Sequence, residues 1–179
     1  MIAAHRQHLP SLAVLACLLT LLAGCASRDD TAQRQTPAVT PTEQVDEFAR
    51  LRLQASRGDL ESQFQLGSGY FVGKPEKDLK QAEYWWKQAA DKGHAMAAVS
   101  LAYLYTGRDD PAFANQQGML KYLNQSAASD NPMAQHILGS LYLRGEQGVP
   151  RDPNQAKRLF TSACAKHYTA SCEALKALP

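Results

Sequence analysis

The nine residues Ala97–Tyr105 read Ala-Ala-Val-Ser-Leu-Ala-Tyr-Leu-Tyr, and related stretches occur on both sides of them. Residues 62–70 read Ser-Gln-Phe-Gln-Leu-Gly-Ser-Gly-Tyr, and residues 134–142 read Ala-Gln-His-Ile-Leu-Gly-Ser-Leu-Tyr. Each copy starts with a small residue, has a leucine four positions later with a second small residue beside it, and ends in tyrosine. Self-similarity at a spacing of 35 to 37 residues is typical of helical repeat arrays. The stretch therefore predicts an all-α solenoid.

Apolar residues with helical spacing, together with turn residues between them, predict eight helices along the rest of the chain. These lie at residues 42–57, 60–72, 79–92, 94–106, 117–129, 132–144, 153–166 and 168–178. Gly58, Gly73 and Gly93 stand where helices are predicted to end. Taken in pairs, the helices form about three repeats with a half-repeat helix at each end, in a domain covering residues 43–179. A helix pair of this kind cannot bury its apolar stripe alone, so the repeats must stack.

The loop and helix residues of these units identify a family. Two sets are the most specific: Gly145, Gly148-Val149, Asp152 and Ala156 in the third unit, and Ala82, Trp85, Ala89-Ala90, Gly93, Ala97, Leu101 and Tyr105 around the first junction. This pattern resembles the Sel1-like repeats, relatives of the tetratricopeptide class, and the resemblance implies an α/α solenoid. The middle unit departs from it, because residues 108–113 lack the Gly-Val-x-x-Asp form and Met119 stands where Ala82 and Ala156 stand. The path of the 107–117 loop is therefore left open.

The composition is that of an ordinary globular domain. Hydrophobic residues make up 45% of the 179 residues, charged residues 20%, and the formal net charge is +2. The charge is small and no cluster of Lys and Arg is present, so nucleic acid is not an expected partner.

The N-terminus carries the marks of an export signal. Residues 11–23 are almost wholly apolar, too short for a membrane span of roughly 20 residues. Leu22-Ala23-Gly24-Cys25 resembles a bacterial lipobox, which implies that residues 1–24 are a lipoprotein signal peptide and that Cys25 is lipidated. An ordinary cleaved signal and a simple membrane anchor are the alternatives.

The residues after Cys25 suggest a destination. Ala26 and Ser27 follow it, with no Asp beside the cysteine, and by resemblance to Gram-negative lipoproteins this implies an outer-membrane protein facing the periplasm. Residues 25–42 lack aromatic side chains and contain Pro37 and Pro41, so they are predicted to be a flexible tether.

Cys164 and Cys172 are the two cysteines left in the predicted domain. On one continuous helix their spacing corresponds to about 12 Å of rise, too far for a disulfide. A turn near His167 would place Cys172 one turn into the next helix, facing back, which permits a bridge. The spacing also resembles that of cysteine-rich Sel1 proteins, which implies a disulfide. A metal site that includes His167, and a redox-active pair, are the alternatives.

No constellation of residues indicates catalysis. The sequence lacks the common zinc, nucleophile-elbow and phosphate-loop motifs, and its histidines are dispersed. We therefore predict no catalytic residues, no metal site and no cofactor. Trp85 and Trp86 could form a carbohydrate platform, but the pairs Tyr122-Leu123 and Leu159-Phe160 at the equivalent positions favour core packing.

A partner surface can be predicted from the resemblance, because the first helix of each unit lines the concave face of tetratricopeptide-like stacks. The positions carried over are Phe64, Ser68, Phe71, Met96, Val99, Tyr103, Thr106, Met133, His136, Ser140, Leu143 and Arg144. This set is unusually apolar for a solvated face, and it suits a groove for a peptide or helix. The alternative is that the array curls tightly enough for these side chains to pack on one another.

These observations favour a monomeric, lipid-anchored scaffold or adaptor that binds another envelope protein. Two alternatives belong to other classes. One is an immunity protein that neutralises a toxin. The other is a cell-wall or β-lactam binder like the cysteine-rich relatives, for which only scattered serines such as Ser68 or Ser140 could serve as nucleophile.

Overall fold

The computed structural model describes residues 41–178 and is all-helical over that range, which confirms the predicted fold class. The predictions for the signal peptide, for lipidation at Cys25 and for most of the tether lie outside the described residues. The helices are α1 Pro41–Ser56, α2 Leu60–Val72, α3 Leu79–Ala90, α4 Ala95–Leu104, α5 Gln116–Ala128, α6 Pro132–Arg144, α7 Pro153–Ala165 and α8 Thr169–Lys176. Helix α1 begins at Pro41, so the last two residues of the predicted tether belong to it.

Each helix packs against the next along the chain, so α2–α3, α4–α5 and α6–α7 form the three repeats. Helices α1 and α8 are the half-repeats at the two ends. We call α2, α4 and α6 the first helices and α3, α5 and α7 the second helices. Within the described residues, no helix is long and apolar enough to span a membrane.

Side-chain caps fix the helix starts. Asp59 Oδ1 accepts a hydrogen bond from the Ser62 N–H at 2.7 Å at the start of α2. Asn131 Oδ1 does the same for the Ala134 N–H at 3.0 Å at the start of α6. At α4 the cap is a histidine, whose Nδ1 accepts from the Ala97 N–H at 3.1 Å. Such a cap stabilises a helix by about 1 kcal/mol, and together they set where each helix begins.

Small residues at fixed positions allow the helices to approach closely. Ala97 and Ala134 are 0% exposed, and Leu101 and Leu138, four residues further on, are buried with them. Gly67 lies against the ring of Trp86, and a Cβ at this position would fall 2.6 Å from the ring atom Cδ1. The small residues that repeat in the sequence are therefore the contact points between helices.

One backbone hydrogen bond closes the loop of every repeat. The carbonyl oxygens of Tyr70, Tyr105 and Tyr142 accept from the N–H groups of Asp78, Asn115 and Asp152, at 3.0, 2.9 and 2.8 Å. The middle loop keeps this bond even though it forms a short 3-10 helix, Pro111–Phe113, that the other two loops lack. Its path, which the sequence leaves open, therefore returns to the same point of the fold.

Candidate partner-binding surface

The predicted partner surface lies on the first helices, and its residues differ in how far they reach solvent. Tyr103 is 42% exposed and is the large apolar side chain of this set that is open to solvent. Val99, in contrast, is 6% exposed and belongs to the core, which contradicts its expected place on this surface. The other apolar members are half-buried: Phe64, Phe71, Met96, Met133 and Leu143.

Aromatic side chains join the first two repeats on this surface. The ring centroid of Phe71 in α2 lies 5.9 Å from that of Tyr103 in α4, with an edge-to-face angle of 82°. On its other side Phe71 lies 5.3 Å from the ring of Trp86. Edge-to-face pairs of this kind add about 0.5–1.5 kcal/mol beyond their buried area. Because Trp86 is in the core, the exposed ring of Tyr103 stands on a rigid aromatic base.

A second aromatic contact lies near the start of the same helices. The Phe64 ring stacks on the imidazole of His94 with centroids 5.0 Å apart. His94 Nε2 lies 3.1 Å from Glu61 Oε2. Hydrogen bonds from the side chains of Gln65 and His94 lower the pKa of the Glu61 carboxyl. Phe64 is therefore half-covered by its neighbour and contributes one flank of the surface.

Ser68 does not offer a free hydroxyl. Its Oγ donates to the carbonyl oxygen of Phe64 at 2.9 Å and lies 3.3 Å from the indole Nε1 of Trp86, which also donates to that carbonyl at 3.1 Å. The hydroxyl proton is therefore occupied within the repeat, and no base faces it among these contacts. This arrangement argues against Ser68 as a nucleophile and against Ser68 as a direct partner contact.

His136 is covered by the C-terminal half-repeat. Its Nδ1 lies 2.9 Å from Ser171 Oγ, and its ring lies 5.4 Å from the ring of Phe160 and 5.3 Å from that of Tyr168. Burial lowers the pKa of the His136 imidazole, and the positive charge of Arg144 lowers it further. His136 thus holds α8 in place. It is not free for a partner, contrary to the prediction.

The sequence did not predict the contact with Ser171, because Ser171 stands at a repeat position where a small packing residue is expected. Ser171 lies 37 residues after Ala134, at the small position that begins each repeat stretch, and it is 0% exposed. The sequence contained a signal for this contact, because α8 has the pattern of the start of another unit. The first helix of the third repeat, α6, therefore has a neighbour on its far side.

The end of α6 is more open. Arg144 is exposed, and its Nε donates to Glu146 Oε2 at 2.7 Å in the loop that follows. Leu143 is half-buried, and its carbonyl accepts from Arg151 Nε at 3.1 Å. Ser140 and Met133 are also half-buried on this helix. The exposed member of the predicted set on α6 is therefore the charged Arg144, whereas on α4 it includes the aromatic Tyr103.

Cys164 and Cys172 form a disulfide that joins α7 to α8, with Cα atoms 4.8 Å apart. The intervening turn at His167, whose φ is 61°, reverses the chain between the two helices. The described side chains, those of residues 47–178, include no group of three or more His, Cys, Asp or Glu that could hold a metal ion.

Comparison with known proteins gives a family and several relatives. The family model described as the Sel1 repeat matches residues 60–94 and 132–168, the first and third repeats. Two curated relatives match part of this chain. They are the ERAD-associated E3 ubiquitin-protein ligase component HRD3B of Arabidopsis thaliana, 28% identical over 64% of this chain, and the alginate biosynthesis protein AlgK of Pseudomonas syringae, 33% identical over 55% of it. The chain spans 18% and 20% of their lengths, about a fifth of each.

Two solved structures share the fold. A Sel1 repeat protein from Oxalobacter formigenes superimposes with a TM-score of 0.65 and 27% identity, over 73% of this chain and 98% of that one. A protective antigen present in uropathogenic Escherichia coli strains, which displays an SLR fold, gives a TM-score of 0.64 and 28% identity, over 69% of this chain and 26% of that one.

Proposed function

From its similarity to Sel1-repeat proteins we propose that this chain is an interaction scaffold, which binds an apolar peptide or helix of another envelope protein across α2 and α4. The observation that carries the proposal is the contact between Phe71 and Tyr103, which continues an aromatic surface from one repeat to the next. Exposed aromatic rings on a rigid base are the usual anchors of protein interfaces.

The relatives support this proposal through their names. One is named as a component of a ubiquitin-protein ligase and the other as a biosynthesis protein. The first name describes a component of a larger assembly, although this chain covers only about a fifth of either relative. We propose by analogy that this chain serves the assembly of an envelope machine and carries no enzyme activity.

The proposal includes a lipid anchor. The Leu-Ala-Gly-Cys sequence ending at Cys25 supports lipidation there, with the repeats held on the periplasmic side of the outer membrane. A Cys25→Ser variant should no longer incorporate labelled palmitate and should leave the outer-membrane fraction. Unchanged fractionation and labelling would remove this part of the proposal and leave the partner surface untouched.

The partner surface can be tested by photo-crosslinking in the cell. A photo-reactive phenylalanine analogue replaces Tyr103 in one variant of the full chain and Tyr84 in a second. Tyr84 is a suitable control because it is 51% exposed, slightly more than Tyr103 at 42%, and lies on a second helix, α3. We expect a discrete crosslinked species from position 103 and none of the same mass from position 84.

Substitution gives the matching loss-of-binding test. For this test the photo-reactive analogue replaces Phe71. Tyr103→Asp should abolish the crosslinked complex formed from position 71, whereas Tyr84→Asp should leave it intact, because only the first change places a charge on the proposed contact surface. Both variants should keep the helical circular-dichroism signal. Crosslinks of equal yield from both positions, or loss of helicity in Tyr103→Asp, would overturn the assignment.

A further inference from the structure

A depression of about 350 Å³ lies away from the partner surface, where the C-terminal end of α1 meets α2 and α3. The core-packing interpretation of the tryptophan pair holds for Trp86, which is 3% exposed, but Trp85 is only half-buried and lines this depression. The polar and aromatic side chains around it are Ser56, Arg57, Gln63, Tyr84, Trp85, Gln88 and Lys92.

The charges around the depression have one sign. Arg57 and Lys92 line it and no carboxylate does. Within the described part of the chain, neither side chain is in an ion pair with an acidic group. Two cations beside a half-enclosed space favour an anionic ligand, because charge-assisted hydrogen bonds are stronger there than in open water.

The third repeat closes the equivalent place with its own side chains. Lys166 stands 74 residues after Lys92, and its Nζ donates to Asp130 Oδ1 at 2.9 Å and to Ser162 Oγ at 3.2 Å. The position of Asp130 is taken in the first repeat by Gly58, which has no side chain to offer.

The middle repeat closes it in a different way. Tyr122 stands 37 residues after Trp85, and its hydroxyl donates to Asp91 Oδ1 at 2.9 Å. Gln125, the equivalent of Gln88, donates to the carbonyl oxygen of Ala90. The first repeat therefore lacks the side-chain contacts that the other two repeats form at this place.

Two buried polar atoms at the depression lack a hydrogen-bond partner. They are the indole Nε1 of Trp85, a donor, and Oε1 of Gln63, an acceptor on a side chain that is 3% exposed. Gln135 in the third repeat has the same unpaired oxygen, so that atom reflects the repeat, whereas the unpaired indole N–H occurs only at Trp85 within residues 47–178. A buried N–H without a partner destabilises the fold unless a bound group supplies an acceptor.

We propose that this depression binds a carboxylate-bearing sugar unit, such as a uronic acid within an oligosaccharide. The carboxylate pairs with Lys92 and Arg57, the apolar face of the sugar ring lies on the exposed ring of Tyr84, and its hydroxyls meet the amide of Gln88. A ligand oxygen reaches the indole N–H of Trp85 after the side chains that cover it rotate. This site is separate from the proposed partner surface and does not depend on it.

Calorimetric titration of the full chain with tri-galacturonate tests the proposal, with galacturonate, maltotriose and sodium acetate as comparison ligands. We expect tri-galacturonate to bind, the single sugar acid to bind more weakly, and neutral maltotriose not to bind. Lys92→Gln should weaken the binding by about tenfold or more, since it removes a charge-assisted contact. Lys166→Gln is the matched control at the same position of the third repeat, and it should leave the affinity unchanged.

A second variant keeps the test independent of charge alone. Trp85→Phe keeps a ring at this position but removes the N–H, and it should weaken tri-galacturonate binding several-fold while the helical signal stays the same. Four outcomes would overturn the proposal: no binding of tri-galacturonate at millimolar concentration, equal binding of maltotriose, equal binding of acetate, or equal losses in Lys92→Gln and Lys166→Gln.

Discussion

The first and third repeats place an aromatic ring of the second helix on a glycine of the first helix, whereas the middle repeat has neither the ring nor the glycine at these two positions. In the first repeat Trp86 covers Gly67, and in the third Phe160 covers Gly139, where an added Cβ would lie 2.7 Å from Cε1 of the ring. The glycines therefore make room for a flat ring at van der Waals distance from the helix backbone.

The middle repeat has a leucine in place of the aromatic ring and an alanine in place of the glycine. Leu123 stands 37 residues before Phe160, and Ala102 stands 37 residues before Gly139. Both are 2% exposed. A leucine fills less volume than an aromatic ring, and the methyl group of Ala102 on the first helix makes up part of the difference. The three repeats therefore keep the volume between the helices filled at this position with different residue types.

The repeat that differs is also the one that the family model does not match. The family model covers residues 60–94 and 132–168 and omits the middle repeat, which has the leucine, the extra methyl group and a loop with a short 3-10 helix. The middle repeat nevertheless keeps the loop-closing bond between Asn115 N–H and the Tyr105 carbonyl. Packing volume and backbone closure persist there although the sequence pattern is lost.

The largest effect should come from removing the ring. Phe160→Ala should lower the free energy of unfolding by about 4 kcal/mol, and Leu123→Ala by about 3 kcal/mol, because the larger side chain leaves the larger cavity. Urea unfolding followed by circular dichroism measures both. Leu53→Ala is the control, since Leu53 is 51% exposed, and it should change the value by less than about 0.5 kcal/mol. A smaller loss at Phe160 than at Leu123 would contradict the comparison.

The disulfide distinguishes the two ends of the array. It closes the turn between α7 and α8, whereas α1 at the other end packs on α2 without a crosslink in the described residues. Cys164→Ser combined with Cys172→Ser should cost about 2.5 kcal/mol, the chain-entropy value for so short a loop. The loss should match that of the reduced parent protein. A clearly larger loss in the variant would mean that the sulfur atoms contribute through packing as well.

A glycine substitution tests whether ring and glycine form one unit. Gly139→Ala should cost about 2 kcal/mol, because the new methyl group overlaps the Phe160 ring. Adding Phe160→Leu recreates the residue pair of the middle repeat, and the double variant should be less destabilised than the sum of the two single changes by at least about 1 kcal/mol. Strict additivity would show that the pairing in the outer repeats is coincidental.

The fold could be predicted from the sequence because its signals are local and periodic. Helices α2 and α6 occupy the predicted residues 60–72 and 132–144, since capping residues and glycines mark both of their ends. Helix α4 ends at Leu104, two residues before the prediction, because Tyr105 and Thr106 already belong to the turn.

The site was predicted less well because it depends on contacts between distant residues. Val99 was assigned to the surface by its position in the repeat, yet α4 is packed on several sides and six of its ten residues are buried. Ser68 and His136 were assigned in the same way, but their hydrogen bonds to Trp86 and Ser171 cross 18 and 35 residues of sequence. Repeat position predicts which helix a residue is on, and only the neighbours determine whether it is free.

The smallest expected effect concerns the histidine that joins the third repeat to α8. Because burial holds the folded-state pKa of His136 below its ordinary value, the unfolded chain binds a proton more readily than the folded one as the pH falls. The contribution of the neutral imidazole to stability is therefore complete above about pH 7 and is lost progressively as the pH falls below about 6.5, the ordinary pKa of histidine.

A His136→Gln variant should consequently lose less stability than the parent between pH 7 and pH 5, measured as urea midpoints at several pH values. Leu53→Ala, which removes an exposed side chain without a titratable group, is the control and should keep the parent's pH dependence. The lowered pKa of Glu61 does not interfere, since that carboxylate loses its contribution only below about pH 4.5. If His136→Gln kept the full pH dependence of the parent, the contact between α6 and α8 would not titrate, and the C-terminal half-repeat would be held by the disulfide and apolar packing alone.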